Sequence, residues 1–132
     1  MTNYTFPSHY PDNCPPLPHN EMCGIYYRLA INNNKSDPKH FRSYYEEKRR
    51  IKEEATEPCK RRALSIFGDY NDAVIILKQI PTLGKYIAHL DLTGGHGVVQ
   101  KDGCGLESHH GWWVPNGVNP CDYCSKIEGP IS

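Results

Sequence analysis

A strand–helix–strand segment in the middle of the chain constrains the fold more than any other feature. The apolar run Ala63–Phe67 is typical of a short strand, and the Gly-Asp pair after it breaks that strand. Asn71 and Asp72 favour a helix start, because a short side-chain oxygen accepts from the free N–H groups of a first helical turn. Proline lacks an N–H and clashes with the preceding turn, so the helix is expected to end before Pro81. A second strand is predicted over Tyr86–Leu92, which completes a compact unit able to anchor a core.

The chain before this unit predicts one more strand and one more helix. Side chains alternate between two faces over Cys23–Ile31, which is typical of a strand with Arg28 at its middle. Asp37 is suited to cap a helix and Pro38 to occupy its first position. Aromatic and apolar residues then recur at helical spacing over Phe41–Glu57, which favours a surface helix.

Length and composition place these elements in one domain. The chain has 132 residues, and Gly and Pro together contribute 22 of them, which favours long irregular connections. We therefore expect a single α+β domain with a small mixed or antiparallel sheet, two main helices and long irregular connections. Residues 1–22 form an extended Pro-rich arm, residues 23–114 the α/β core, and residues 115–132 an irregular tail. The last strand of the sheet is expected at Trp112–Val114.

Charge is balanced overall and uneven locally. Fifteen basic and fifteen acidic residues leave no net charge, which argues against nucleic acid as a partner. Between Lys35 and Arg62, however, ten Lys and Arg residues face six Asp and Glu residues. This basic segment is either a solvated helix face or a docking surface for an acidic partner or a nucleotide phosphate.

Cysteine usage leaves two interpretations open. No leader-like apolar run and no membrane-length apolar window are visible, so a cytoplasmic protein with reduced thiols or a bound metal is expected. Cys121 and Cys124 have the spacing that lets two sulfurs meet one zinc ion, with Cys104 and His109 as the other candidate ligands. The alternative is two partly buried free thiols in the tail.

Several side chains suit a nucleotide such as NAD. Arginine grips a phosphate with a rigid fork, which suggests Arg28, and a strand serine such as Ser65 can bond a ribose hydroxyl. Aromatic rings sandwich a planar base, and Tyr26, Tyr70 and Trp112 are the candidates.

The order of these residues resembles that of small bacterial ADP-ribosyltransferase-like proteins. In that family a first strand carries Arg or His, matched by Arg28 in YYRL. A second strand carries Ser or Tyr before a helix, matched by Ser65 in ALSIFGDYNDA. A late strand or loop carries Glu, Gln or His, for which Glu107 or His110 are the candidates.

The resemblance implies an NAD-dependent transferase with a nucleotide or protein acceptor. Arg28 would grip the diphosphate of NAD, Ser65 the nicotinamide ribose, and the aromatic rings the nicotinamide. Glu107 or His110 would then stabilise the developing oxocarbenium ion or orient the acceptor.

A different class of function is also consistent with the sequence. In a non-enzymatic protein-interaction module, Arg28 is a structural partner, the aromatic residues are core or interface, and zinc staples the tail. Toxin partners and phage- or plasmid-encoded inhibitors are small proteins of this type. Their partner would dock on the basic helix 39–62 or beside Trp112 and Trp113.

Overall fold

The computed structural model of the chain describes residues 4–16, 20–21, 24–43, 59–93, 96–101 and 107–131. Seven strands and one α-helix make up its regular structure. The strands are β1 (Asn20–Glu21), β2 (Ile25–Ala30), β3 (Leu64–Phe67), β4 (Tyr86–Asp91), β5 (Val98–Lys101), β6 (His109–Trp113) and β7 (Cys124–Glu128). The helix α1 spans Tyr70–Gln79, and 3-10 turns lie at Pro38–Phe41, Lys60–Arg62, Pro81–Leu83 and Pro120–Tyr123.

The seven strands form one antiparallel sheet in the order β1-β5-β6-β3-β2-β4-β7. Strand β2 pairs with β4 over its whole length, from Ile25 opposite Asp91 to Ala30 opposite Tyr86. Its other neighbour, β3, pairs with it through Tyr27 and Phe67. The alternation of side chains along each strand therefore sends neighbouring residues to opposite faces of the same sheet.

The two faces of the sheet are covered differently. We call the side that carries α1 the helix face, where Phe67 and Ile87 pack with Ala73 of the helix. The other side is the opposite face, where Ile66 and Trp112 are fully buried and Phe41 of the first 3-10 turn joins their cluster. Burial on both faces explains why the strands that contribute these residues are short and mostly apolar.

The expected α+β fold with two main helices is wrong. Asp37 caps a turn and Pro38 begins it, but that turn is a four-residue 3-10 helix that ends at Phe41. Arg42 then has an extended backbone, with φ −102° and ψ 133°. The Phe41 ring is buried in the core of the opposite face. Packing of this ring therefore outweighs the local helical spacing, and the chain after Phe41 is extended instead of helical. Most of the helix expected over 41–57 lies outside the described residues, among which α1 is the single α-helix.

The helix α1 is confirmed, with a different cap from the expected ones. It begins at Tyr70, and the Asp69 carboxylate accepts a hydrogen bond from the N–H of Asn71 at 2.8 Å. Its last turn is closed by the Ile80 N–H donating to the carbonyl of Ile76, just before Pro81. Within the described part of the chain, no helix is long and apolar enough to cross a membrane.

The cap assignment leads to a prediction for two neighbouring polar residues. Asp69→Ala is expected to lower the free energy of unfolding by about 1 kcal/mol, since it leaves an N–H of the first turn without its acceptor. Asn71→Ala is the matched control, because Asn71 contributes its backbone N–H to this cap and alanine retains that group. Urea unfolding of both variants measures the difference, and an equal loss in the two would contradict the assignment.

The tail also differs from the expected irregular segment. Residues Cys124–Glu128 form the strand β7, which pairs with β4 from Ile87 opposite Glu128 to Leu90 opposite Cys124, with a bulge at His89. Cys124 is buried in the core of the opposite face. The last strand of the sheet along the chain is therefore β7 and not the segment at Trp112.

Among the described residues, the N-terminal arm is fastened to the body by a disulfide, by hydrogen bonds and by the pairing of Asn20 and Glu21 with β5. A disulfide joins Cys14 to Cys59 across 45 residues of sequence, with their Cα atoms 5.6 Å apart. The Nε of Arg62 donates to the carbonyl of His9 at 2.9 Å, and the N–H of Asn116 donates to the carbonyl of Thr5 at 2.8 Å. The expectation of reduced thiols is wrong for this pair, which spacing alone did not single out.

Candidate functional site

Arg28 lies on the opposite face and is bonded to the backbone. Its register partner in β4 is Ala88, a buried member of that face's core. The guanidinium donates to the carbonyls of His40 at 2.6 Å, Ser65 at 2.8 Å and Arg42 at 3.1 Å. Arg28 thus connects β2, β3 and the segment after the first 3-10 turn.

Tyr26 and His110 lie on the same face as Arg28. Their rings meet edge to face with centroids 5.7 Å apart. His110 is the register partner of Ile66 in β3, and its Nδ1 lies 2.6 Å from the carbonyl of Ser108. Arg28, Tyr26 and the candidate catalytic residue His110 therefore share one face of the sheet.

Ser65 projects from the helix face, away from the side chains of Arg28 and His110. Its Oγ lies 3.0 Å from Nε2 of His109, whose ring packs against Phe67 at 5.2 Å. Among the described contacts, Ser65 touches Arg28 only through the backbone carbonyl of Ser65. The sheet's side-chain alternation separates the predicted serine from the predicted arginine, so these two do not form the wall of one pocket.

The remaining predicted residues are also dispersed. Glu107 is exposed and lies 3.5 Å from the Nζ of Lys101. Trp112 is fully buried, and its Nε1 donates to the carbonyl of His96, so its ring is part of the core and not a lid for a base. Tyr70 begins α1 on the helix face.

Tyr70 belongs to a polar cluster that the sequence interpretation missed. Its hydroxyl donates to Oε2 of Glu128 at 2.9 Å, and Nε2 of His89 lies 2.8 Å from Oε1 of the same carboxylate. The ring of Tyr27 meets the rings of Tyr70 and His89 edge to face at 5.5 and 5.1 Å. The short centroid distances mean that the three rings pack on one another. No local signal pointed to this cluster, because Glu128 lies on the tail strand β7, which the sequence did not predict.

The hydrogen bonds of this cluster shift two pKa values. The Tyr70 hydroxyl, followed by His89, holds the pKa of Glu128 below its usual value. The same bond to Glu128, aided by burial, raises the pKa of Tyr70. Both pKa shifts have the same origin: the hydrogen bond stabilises the state in which the Glu128 carboxylate is charged and the Tyr70 phenol is protonated.

This pairing predicts a pH-dependent stability. The contribution of Glu128 is present above its unfolded pKa of about 4.3 and is lost as pH falls through the lower folded value. That of Tyr70 is present below its unfolded pKa of about 10 and is lost as pH rises through the higher folded value. Thermal unfolding is measured for wild type and Glu128→Gln between about pH 3 and 6. The difference between their unfolding temperatures should become smaller as the pH is lowered. A difference that is constant over this range would contradict the role given to the carboxylate.

Two of the predicted zinc ligands, Cys124 and His109, lie on opposite faces of the sheet. Cys124 is buried in the core of the opposite face, whereas His109 projects from the helix face towards Ser65. Burial raises the pKa of both Cys121 and Cys124, which disfavours the thiolate form that binds metal. No group of three metal-ligating side chains occurs in the described ranges, and Cys104 lies outside them.

A cleft of about 260 Å³ lies between the N-terminal arm and the loop after β6. The arm, the first 3-10 turn, β3 and the loop 114–120 all contribute to it. Its lining is mostly apolar, aromatic or proline: Pro7, His9, Tyr10, Phe41, Arg62, Leu64, Val114, Pro115, Asn116, Gly117, Val118 and Pro120. None of the described residues predicted to bind NAD or zinc lines it. Prolines and aromatics in both terminal segments were the sequence signal for this cleft, but their pairing depends on the fold.

Comparison of the chain with models of known protein families, with curated proteins and with solved structures finds no match.

Proposed function

We propose that this chain is a non-enzymatic protein-interaction module that binds a segment of another protein. The observation that carries the proposal is the cleft beside the arm, whose described lining residues include apolar and aromatic side chains and no carboxylate. Such a concave lining, with apolar rings beside Arg62 and Asn116, offers shape and both apolar and polar contacts to a partner.

The size of the cleft favours an anchoring side chain over a whole cofactor. Its volume of about 260 Å³ is below the roughly 300–1,000 Å³ typical of pockets that enclose drug-sized molecules. A dinucleotide is larger than most such molecules, whereas one or two side chains of a docked segment need less space. Buried anchors of this kind supply most of the affinity in many protein interfaces.

The contacts of Arg28 also support a structural role for this residue. In this proposal its guanidinium holds β2, β3 and the turn segment together through three carbonyls, as the interaction-module hypothesis expects. The same contacts occupy the fork that would have to grip the diphosphate of NAD.

Selection from a displayed library of folded domains, followed by reconstitution from purified components, tests the proposal. We expect a one-to-one complex by light scattering, and no nicotinamide release when the chain is incubated with NAD. The heat-unfolded chain is the control for adhesive binding. Nicotinamide release above the buffer rate, or the absence of any reconstituted complex, would overturn the proposal.

NAD binding stays a prediction, supported by one observation. Arg28, Tyr26 and His110 share the opposite face, so an aromatic pair lies on the same side as the guanidinium. Calorimetric titration with millimolar NAD tests it, with His110→Gln compared against Lys78→Gln on α1 as the control. Heat of binding that His110→Gln alone removes would favour the nucleotide function over the interaction module.

A further inference from the structure

The pair Cys121 and Cys124 is a motif that the proposed interaction function does not use. Both residues are free thiols in this structure, one in the 3-10 turn Pro120–Tyr123 and the other at the first residue of β7. We propose that the two thiols are a redox-active pair that closes reversibly to a disulfide when the chain meets a low-molecular-weight disulfide such as oxidised glutathione. The proposal goes beyond the interaction function and does not depend on it.

The turn brings the two residues to the separation that a disulfide requires. The N–H of Cys124 donates to the carbonyl of Cys121, which closes one 3-10 turn between them. Such a turn rises about 2 Å per residue and eclipses side chains three residues apart, so the two Cα atoms are expected about 6 Å apart. Disulfides join Cα atoms that are about 4.4–6.8 Å apart. The Cα atoms of Cys14 and Cys59, which are already bonded, are 5.6 Å apart.

Both side chains contact the same part of the core. Cys124 is buried in the cluster of the opposite face, and the half-buried Cys121 packs against that cluster. Burial, followed by the charge of Cys121, raises the pKa of Cys124, so the two thiols are near enough to interact. The Sγ of Cys124 lies 3.5 Å from the carbonyl of Lys126. A thiol is a weak donor, so rotation away from this carbonyl towards Cys121 costs little.

Unequal exposure gives the two thiols different roles. Cys121 is the sulfur that a soluble disulfide can reach, whereas Cys124 is only 5% exposed. The Cys121 thiolate attacks one sulfur of glutathione disulfide, breaks its S–S bond, forms a mixed disulfide and releases one glutathione thiolate. The Cys124 thiolate then attacks the Sγ of Cys121 and releases the second glutathione. The pair loses two electrons and two protons, which convert one glutathione disulfide to two thiols.

The surroundings of the thiols slow closure and stabilise its product. Burial, followed by the charges of Asp122 and Asp37, raises the pKa of Cys121, while Lys35 partly offsets the rise in the pKa of Cys124. Only the thiolate attacks, so closure should become about tenfold faster for each unit of pH rise below the thiol pKa. Thiols of high pKa are poor leaving groups, so the closed disulfide should resist attack by glutathione.

Peptide mapping of the full chain, with its existing disulfide intact, tests the proposal. The protein is incubated in a series of oxidised and reduced glutathione mixtures, alkylated, and digested with trypsin and a glutamate-specific protease. Cleavage after Glu107 and Lys126 releases a peptide whose only cysteines are Cys121 and Cys124. We expect this peptide to lose two hydrogen atoms and to escape alkylation. Its closure in the protein should be about tenfold or more favourable than in the free peptide 119–125, because the turn is already formed.

Two single variants test the division of roles. In Cys124→Ser, no thiol can resolve the mixed disulfide at Cys121, which should accumulate about tenfold or more above its wild-type level. In Cys121→Ser, the buried Cys124 should take up glutathione about tenfold or more slowly than Cys121 does in Cys124→Ser. Urea unfolding midpoints of both variants show whether each is folded, and the closure equilibrium of wild type tests the proposal without any variant.

The outcomes separate this proposal from the interaction function. A pair that stays open to alkylation across the whole glutathione series overturns the proposal. So does closure no more favourable than in the free peptide, or equal mixed disulfide in wild type and in a folded Cys124→Ser. Each of these results leaves the interaction function standing. Normal closure without any reconstituted protein complex overturns the interaction function alone.

Discussion

Replacing Cys14 by serine is expected to lower the free energy of unfolding by about 3–4 kcal/mol. The disulfide between Cys14 and Cys59 spans 45 residues, so removing it returns a large amount of conformational freedom to the unfolded chain. This is a substantial share of the roughly 5–15 kcal/mol by which a native domain is stable. Urea unfolding of the oxidised protein and of Cys14→Ser measures the difference.

A double-variant comparison makes this prediction specific to the bond. Cys14→Ser, Cys59→Ser and the double variant remove the same covalent link, so all three should lose about the same free energy. Cys121→Ser is the matched control, because Cys121 is a free, half-buried thiol. Additive losses in the double variant would mean that the two thiols stabilise the fold separately and that the link contributes little.

Arg28→Met is expected to lower the free energy of unfolding by about 3 kcal/mol. Methionine keeps much of the apolar stem but donates no hydrogen bond, so the carbonyls of His40 and Ser65 lose their charged donor. Leaving a buried polar group without its partner costs about 1–3 kcal/mol. The carbonyl of Arg42 lies at a more exposed contact and adds less, because water can replace the donor there.

The comparison with Lys78→Met distinguishes an anchoring arginine from a ligand-binding one. Lys78 is exposed on α1, and its change to methionine should alter the free energy of unfolding by less than about 0.5 kcal/mol. Arg28→Lys should fall between the two, since a single ammonium cannot reproduce the planar fork that reaches three carbonyls. Unchanged stability in Arg28→Met would indicate that its bonds are dispensable and would renew the case for a ligand role.

The sequence predicts the positions of most strands, but it does not predict which face of the sheet each side chain occupies. Alternating apolar residues predicted β2 and β4 to within two residues at either end, and the apolar run at Ala63 predicted β3. The resemblance assigns Ser65 and Arg28 to one NAD site, but their side chains lie on opposite faces of the sheet. Which face a side chain occupies depends on register between strands, and that register is a tertiary property.

The strand β7 in the tail is not predicted by the sequence, for a related reason. The Pro, Gly and Asn residues of the tail predicted turns, and these are present as the loop 114–119 and the 3-10 turn Pro120–Tyr123. The strand β7 that follows is short, and it forms because the edge of β4 is available to pair with it. A five-residue strand with two exposed positions has too weak a local signal to be separated from loop.

By itself, the sequence determined the local elements: that β2, β3, α1 and β4 form, though not their end residues, and that Pro81 stops the helix. These follow from side-chain periodicity, capping oxygens and the missing N–H of proline, all of which act within a few residues. Only the tertiary structure decided that Cys14 meets Cys59, that Arg28 binds carbonyls, and that the arm closes a cleft beside Val118. Those contacts join residues far apart along the chain, and packing of the whole sheet selects them.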